Sequence, residues 1–185
     1  MNIENKKMHF FQVQSKHKPI IVDWFSQAHV KEFYYGEGLQ NTLKNLELYC
    51  QGINNNGKYS FDHWIAYLDD SPLGFLMTSP IEPTENDEMN KWCVLGSKTS
   101  TLDLLIGNTR FLGKGLSAPM IRAFILDKFS DYDYFLIDPE KDNTKAIHVY
   151  EKAGFDYLGE FSPSYNPVPH VMMRLKVCDL KNGKS

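Results

Sequence analysis

The order of apolar segments along this chain predicts a mixed α/β domain, on three observations. The first half reads as a strand, helical segments and an antiparallel hairpin. The second half reads as strand, glycine-bearing turn, helix, strand, helix, strand. No linker-like, repeated or low-complexity stretch divides the 185 residues, a length that suits one domain.

The elements follow in order. Residues 9–14 read as the first strand. Residues 19–26 open with Pro19 and carry Ile20, Ile21, Trp24 and Phe25, which suits a helix. Residues 42–49 place Leu43, Leu46, Leu48 and Tyr49 at helical intervals. Residues 61–68 form a strand with Trp64, Ala66 and Leu68 on one face, Asp69-Asp70-Ser71-Pro72 turns, and residues 73–78 return. Residues 81–90 form a polar, acidic loop. Residues 101–106 form an apolar strand interrupted by one charge, Asp103. Residues 117–128 form a helix that is apolar nearly all round, and residues 134–137 a short buried strand. Residues 143–153 form a helix capped by Asn143 and closed by Gly154. Residues 171–177 are the last strand. The domain is expected over residues 8–178, with ragged termini at 1–7 and 179–185.

Composition argues against several classes. The net charge is −3, which argues against a general nucleic-acid binder. Three cysteines without a close pair argue against a disulfide framework and a cysteine zinc site, and the histidines show no ligand spacing, so no metal is expected. The start lacks a signal-peptide core and no apolar run approaches a membrane span. A cytoplasmic protein without membrane or nucleic-acid partners is the expectation.

The most informative segment runs from Leu102-Asp103-Leu104-Leu105-Ile106-Gly107 into Arg110-Phe111-Leu112-Gly113-Lys114-Gly115-Leu116. Glycines let successive amides point one way, and a following helix start adds free N–H donors. Arg110 and Lys114 add full charges. The combination suits a pyrophosphate, although alone it is also an ordinary turn; neither GxxxxGK[ST] nor GxGxxG spacing is present. About thirty residues on, Ile137-Asp138-Pro139 leads to Asn143-Thr144-Lys145-Ala146-Ile147-His148-Val149-Tyr150-Glu151-Lys152-Ala153-Gly154-Phe155. Ala146, Tyr150 and Ala153 share one helical face.

RxxGxG followed by NxxAxxxYEKxGF resembles the signature of the GNAT N-acetyltransferases, closely over residues 102–155 and loosely elsewhere. The resemblance implies a central mixed, mostly antiparallel sheet with splayed middle strands, flanked by helices. It implies acetyl-coenzyme A as co-substrate. Arg110, Phe111, Leu112, Gly113, Lys114, Gly115, Leu116 and Ser117 would hold the pyrophosphate. Leu105 and Ile106 would pair with the pantetheine arm, and Asn143, Ala146, Tyr150 and Lys152 would line the cofactor. Tyr150 would be the acid for the leaving thiolate. An amine acceptor attacks the thioester directly and must first lose a proton, so a base is needed. Asp103, a carboxylate in an apolar strand, is the candidate base or amine anchor; a structural aspartate is the alternative.

Within that superfamily the chain is most similar to the aminoglycoside 6′-N-acetyltransferases, on the residue 102–116 and 138–155 segments and faintly on residues 29–34. That similarity implies an enzyme acting on a small polycationic amine; a link to antibiotic resistance and a monomer or homodimer are further expectations. It assigns Tyr34, Tyr49, Trp92, Asp103 and Asp138 to acceptor binding. Glu82, Glu85, Asp87 and Glu88 are either an acceptor-attracting loop or a solvated one, Trp92 serves cleft or core, and Tyr165 is a further acceptor candidate. The family's tryptophan pair stands here as Phe33-Tyr34. Siderophore-type hydroxylysine acetylation, peptide N-terminal acetylation and a non-catalytic acetyl-coenzyme A sensor are the other readings.

Overall fold

The computed structural model describes residues 7–81, 90–164, 166 and 168–183. Among the described residues, seven strands form a mostly antiparallel sheet in the order β1-β2-β3-β4-β5-β7-β6. The strands are β1 Met8–Gln12, β2 Asp62–Leu68, β3 Ser71–Pro80, β4 Thr99–Ile106, β5 Tyr134–Ile137, β6 Asp156–Phe161 and β7 His170–Lys176. The helices are α1 Lys18–Ser26, α2 Ala28–Lys31, α3 Gly36–Cys50, α4 Ser117–Lys128, α5 Thr144–Ala153 and α6 Val177–Lys181. The chain divides into two compact units, Met1–Met77 with Asp103–Leu116, and Thr78–Leu102 with Ser117–Ser185.

In the first unit, α1 carries Pro19 in its first turn, where a missing N–H costs nothing. It buries Ile21, Trp24 and Phe25 with Val30 of α2, Leu46 of α3, Ile65 of β2, Phe75 of β3 and Leu105 of β4. Helix α3 begins six residues before the expected 42–49 segment. Gly36 and Gly38 are poor helix formers and hide that start, yet Leu39 and Leu43 carry the apolar stripe back from Leu46.

In the second unit, α4 packs against α5 and α6. Its Met120, Ile121, Phe124 and Ile125 are buried, as are Phe135 and Leu136 of β5 and Met172 and Met173 of β7. Two elements here escape the sequence reading. Strand β6 is an edge strand with no buried residue and a register shift between Tyr157 and Gly159, so it lacks the alternation that marks a half-buried strand. Residues 179–181 of the expected ragged end lie in α6, which buries Leu180. Among the described residues no helix is long and apolar enough to cross a membrane.

Candidate functional site

Strand β4 delivers the chain into the glycine loop, and close packing fixes where that loop starts. A Cβ on Gly107 would stand 1.9 Å from the Trp24 ring, so only glycine fits. The amides of Gly107 and Asn108 both donate to the Leu73 carbonyl, at 3.1 and 3.2 Å. Asn108 then ties the loop at two points. Its Nδ2 donates to the Pro72 carbonyl at 2.8 Å, and its Oδ1 accepts from the Arg110 amide at 3.1 Å. A turn of 3₁₀ helix, Thr109–Phe111, follows and buries Phe111.

Gly113 and Gly115 adopt φ of +68° and +69°, and an added Cβ at either would meet nothing within 4 Å. Left-handed residues alternating with others in a turn are the kind of backbone that can aim amides at an anion. The amides of Phe111, Leu112 and Lys114 are taken by loop carbonyls, whereas among the described residues none accepts from Gly113, Gly115 or Leu116. Leu112 and the Arg110 and Lys114 side chains are exposed, and Leu116 is buried as an anchor. Free donors, open backbone and two cations fit a pyrophosphate.

Further back on β4, Asp103 is exposed. That corrects the premise of a buried charge: burial is not what would tune this carboxylate. The Leu105 carbonyl points at Gly74, 2.3 Å from where a Cβ would stand. Backbone groups alternate edges along a strand, so Leu104 and Ile106 face the opposite edge. On that edge the Tyr34 hydroxyl donates to the Leu104 carbonyl at 3.2 Å, and His29 Nε2–H donates to the Ile106 carbonyl at 3.0 Å. The parallel ladder between β4 and β5 covers only Thr99–Thr101 opposite Tyr134–Leu136. The backbone groups of Leu105 and Ile106, both candidates for the pantetheine arm, therefore face opposite edges of β4.

The other aromatic of the first unit expected at the acceptor, Tyr49, is half-buried against the core. Its hydroxyl donates to Asp62 Oδ1 at 3.0 Å. Burial, then the Asp62 carboxylate, push its pKa well above the ordinary tyrosine value. Beside it stands His63 on β2, with ring centroids 5.1 Å apart. His63 is 2% exposed, and its Nδ1 has no hydrogen-bond partner among the described residues. Burial lowers its pKa to about 4.

In the second unit, Asn143 caps α5, its Oδ1 accepting from the Ala146 amide at 3.1 Å. Gly154 closes the helix at φ +105°. Tyr150 and Ala153 are buried, Ala146 and Ser117 half-buried, and Lys152 exposed. His148 is exposed beside Glu151.

Asp138, at the end of β5, meets His170 at the start of β7: Nδ1 lies 2.6 Å from the Asp138 carbonyl and 3.2 Å from Oδ2. Burial works against the charged imidazole, but Asp138 and Glu140 more than offset it, so the His170 pKa stands above its ordinary value. Trp92 is half-buried, packed on Gly159 and 5.8 Å from the Phe161 ring, which in turn sits 6.0 Å from His170. Trp92 Nε1 has no partner among the described residues. The structure thus joins Trp92 to Asp138 through Phe161 and His170. Glu82, Glu85, Asp87, Glu88 and Tyr165 lie outside the described residues.

Sequence reasoning missed His29, Asn108, Asn166 and His170. Only Asn108 carried a local signal, as an asparagine just after a strand and before a turn. The concavity bordered by Ser130, Asp131, Tyr132, Lys176 and Lys181 contains none of the residues singled out.

A family model described as an acetyltransferase (GNAT) domain matches residues 14–162. A crystal structure of an aminoglycoside N(6′)-acetyltransferase from Legionella pneumophila is 40% identical, covers 95% of both chains and superimposes with a TM-score of 0.82. An aminoglycoside N(6′)-acetyltransferase type 1 of Klebsiella pneumoniae is 27% identical over 156 residues, 83% of this chain and 76% of its own. An aminoglycoside acetyltransferase solved with coenzyme A and kanamycin shares the fold, with a TM-score of 0.76 at 21% identity over 97% of this chain and 100% of its own. The glycine loop, the capped α5 and the mixed sheet agree with these likenesses, and the chain belongs to the GNAT family of acetyl-coenzyme A-dependent acetyltransferases.

Proposed function

We propose that this enzyme acetylates a primary amine of an aminoglycoside-like polycation. The observation that carries the reading is the 40% identity, over 95% of both chains, to an aminoglycoside N(6′)-acetyltransferase. Asp103 is exposed on β4 and the Asp138 side chain is 19% exposed at the end of β5, and polycations favour carboxylates.

Acetyl-coenzyme A supplies the activated acetyl thioester. The amides of Gly113, Gly115 and Leu116 donate to its pyrophosphate, with Arg110 and Lys114 adding charge and the start of α4 from Ser117 adding its dipole. Phe111 and Leu112 shape that loop. Ile106, together with Leu104 in place of Leu105, offers the backbone edge for the pantetheine arm. Tyr34 and His29 occupy carbonyls on that edge and leave its amides to the ligand. Asn143, Ala146 and Lys152 line the cofactor. Asp103 holds the acceptor ammonium and takes its proton, and Tyr150 O–H protonates the departing thiolate. Asp138 binds a second ammonium, with Trp92 as a flat neighbour; Tyr34 and Tyr49 act through the core beneath the acceptor rather than through free hydroxyls.

The test is thiol release from acetyl-coenzyme A with kanamycin as acceptor. Asp103→Asn should lower kcat by about 10²-fold or more with the acetyl-coenzyme A KM unchanged. An unaltered kcat would remove Asp103 from the chemistry.

A further inference from the structure

His170 plays no part in the transfer steps above, yet its surroundings are tightly specified. It is 6% exposed. Both atoms facing Nδ1, the Asp138 carbonyl and Oδ2, are acceptors, so Nδ1 carries hydrogen. Opposite, Nε2 lies 3.3 Å from Asn166 Nδ2. The Asn166 amide is oriented by two further bonds: Oδ1 accepts from the Val168 amide at 3.2 Å, and Nδ2 donates to Glu140 Oε1 at 3.1 Å. A neutral ring therefore accepts at Nε2 and keeps its proton at Nδ1, and a charged ring has Nδ1–H as well.

The backbone that carries these groups is also fixed. The Val171 amide donates to the Pro139 carbonyl at 2.9 Å, and the Lys141 amide to the Pro169 carbonyl at 2.8 Å. Phe161 of β6 covers the ring from the side. The carboxylates acting on the imidazole are Asp138 and Glu140, with neutral Asn166 opposite.

We propose that His170 is a positioning residue: its Nδ1–H holds the Asp138 carboxylate in place for the acceptor ammonium, so acceptor affinity depends on this imidazole. The inference rests on the acceptor role of Asp138 proposed above. A buried group that orients a ligand-binding side chain commonly matters nearly as much as the side chain itself. Since Nδ1–H is present in both charge states, the hold persists across neutral pH.

The experiment measures KM for kanamycin and for acetyl-coenzyme A in the wild type, Asp138→Asn, His170→Phe and His170→Asn. The asparagine amide nitrogen stands close to where Nδ1 stands, so it keeps the donor. Kanamycin KM should rise about tenfold in His170→Phe and recover to within about threefold of wild type in His170→Asn, with acetyl-coenzyme A KM unmoved. Equal losses in both His170 variants would mean that packing alone matters and would overturn the proposal. So would an unchanged kanamycin KM in His170→Phe alongside a large rise in Asp138→Asn. An unchanged KM in Asp138→Asn would instead overturn the acceptor reading. If His170→Phe does not fold, His170→Asn decides: KM near wild type supports the proposal, and a loss equal to that of Asp138→Asn overturns it.

Discussion

Two of the buried histidines, His63 of the first unit and His170 of the second, behave in opposite ways. His63, on β2, sits among Tyr49, Phe61 and Phe75, and its Nδ1 has no partner among the described residues. His170, on β7, is nearly as buried but faces Asp138 and Glu140. Burial alone drives the first toward the neutral form, and carboxylates hold a proton on the second. If His170 holds Asp138 as proposed, burial is not what marks a working histidine here; a bond to a group that a ligand can also reach is.

The largest expected effect lies with His63. Its folded pKa, about 4 against an ordinary 6.5, means the unfolded chain takes up the proton first as pH falls. Stability is full above pH 6.5 and drops by roughly 3 kcal/mol toward pH 4. Thermal melts across that range should show the loss, and His63→Phe should flatten it. Equal slopes in the two proteins would erase the contrast.

Activity sharpens the comparison next. His63→Phe should leave the kanamycin KM unchanged, while the tenfold rise expected for His170→Phe corresponds to about 1.4 kcal/mol of acceptor binding. Matching effects at both sites would show that neither histidine is specific to the acceptor.

A glycine-loop variant separates donor from acceptor. Gly113→Ala meets no atoms but strains φ +68°, which costs on the order of 1 kcal/mol. The acetyl-coenzyme A KM should rise several-fold and the kanamycin KM should hold, in contrast to the His170 variants.

The smallest effect is the opposite pH sign at His170. A raised folded pKa contributes stability that is fully present below pH 6.5 and is lost as pH climbs through the higher folded value. The melting difference between wild type and His170→Asn should therefore shrink on going from pH 6 to alkaline pH. A difference that widens would mean the carboxylates do not govern this ring.

What could be read from the sequence follows from what is local. The glycine loop and the α5 helix were legible because caps and turns act within a few residues: Asn143 bonds three residues on, and Gly154 is left-handed. Edge strand β6 was illegible because exposure removes periodicity. At the site, Asp103 and Asp138 were both visible as carboxylates at strand positions, but their settings were not. Asp103 lies exposed on its strand, while Asp138 is gripped by a histidine 32 residues away. The bonds of His29 and Tyr34 were likewise hidden, since their partners are backbone carbonyls more than 60 residues on. Long-range bonds of that sort leave no trace in spacing.

The central claim is that a polycationic amine is the acceptor, and thiol release from acetyl-coenzyme A tests it directly with kanamycin, spermidine, hydroxylysine and a short peptide side by side. Kanamycin should give the highest kcat/KM, and Asp138→Asn should lower it for kanamycin well beyond its effect on the peptide. Kanamycin left inert while hydroxylysine or the peptide is turned over, or while every amine is inert, would contradict the claim.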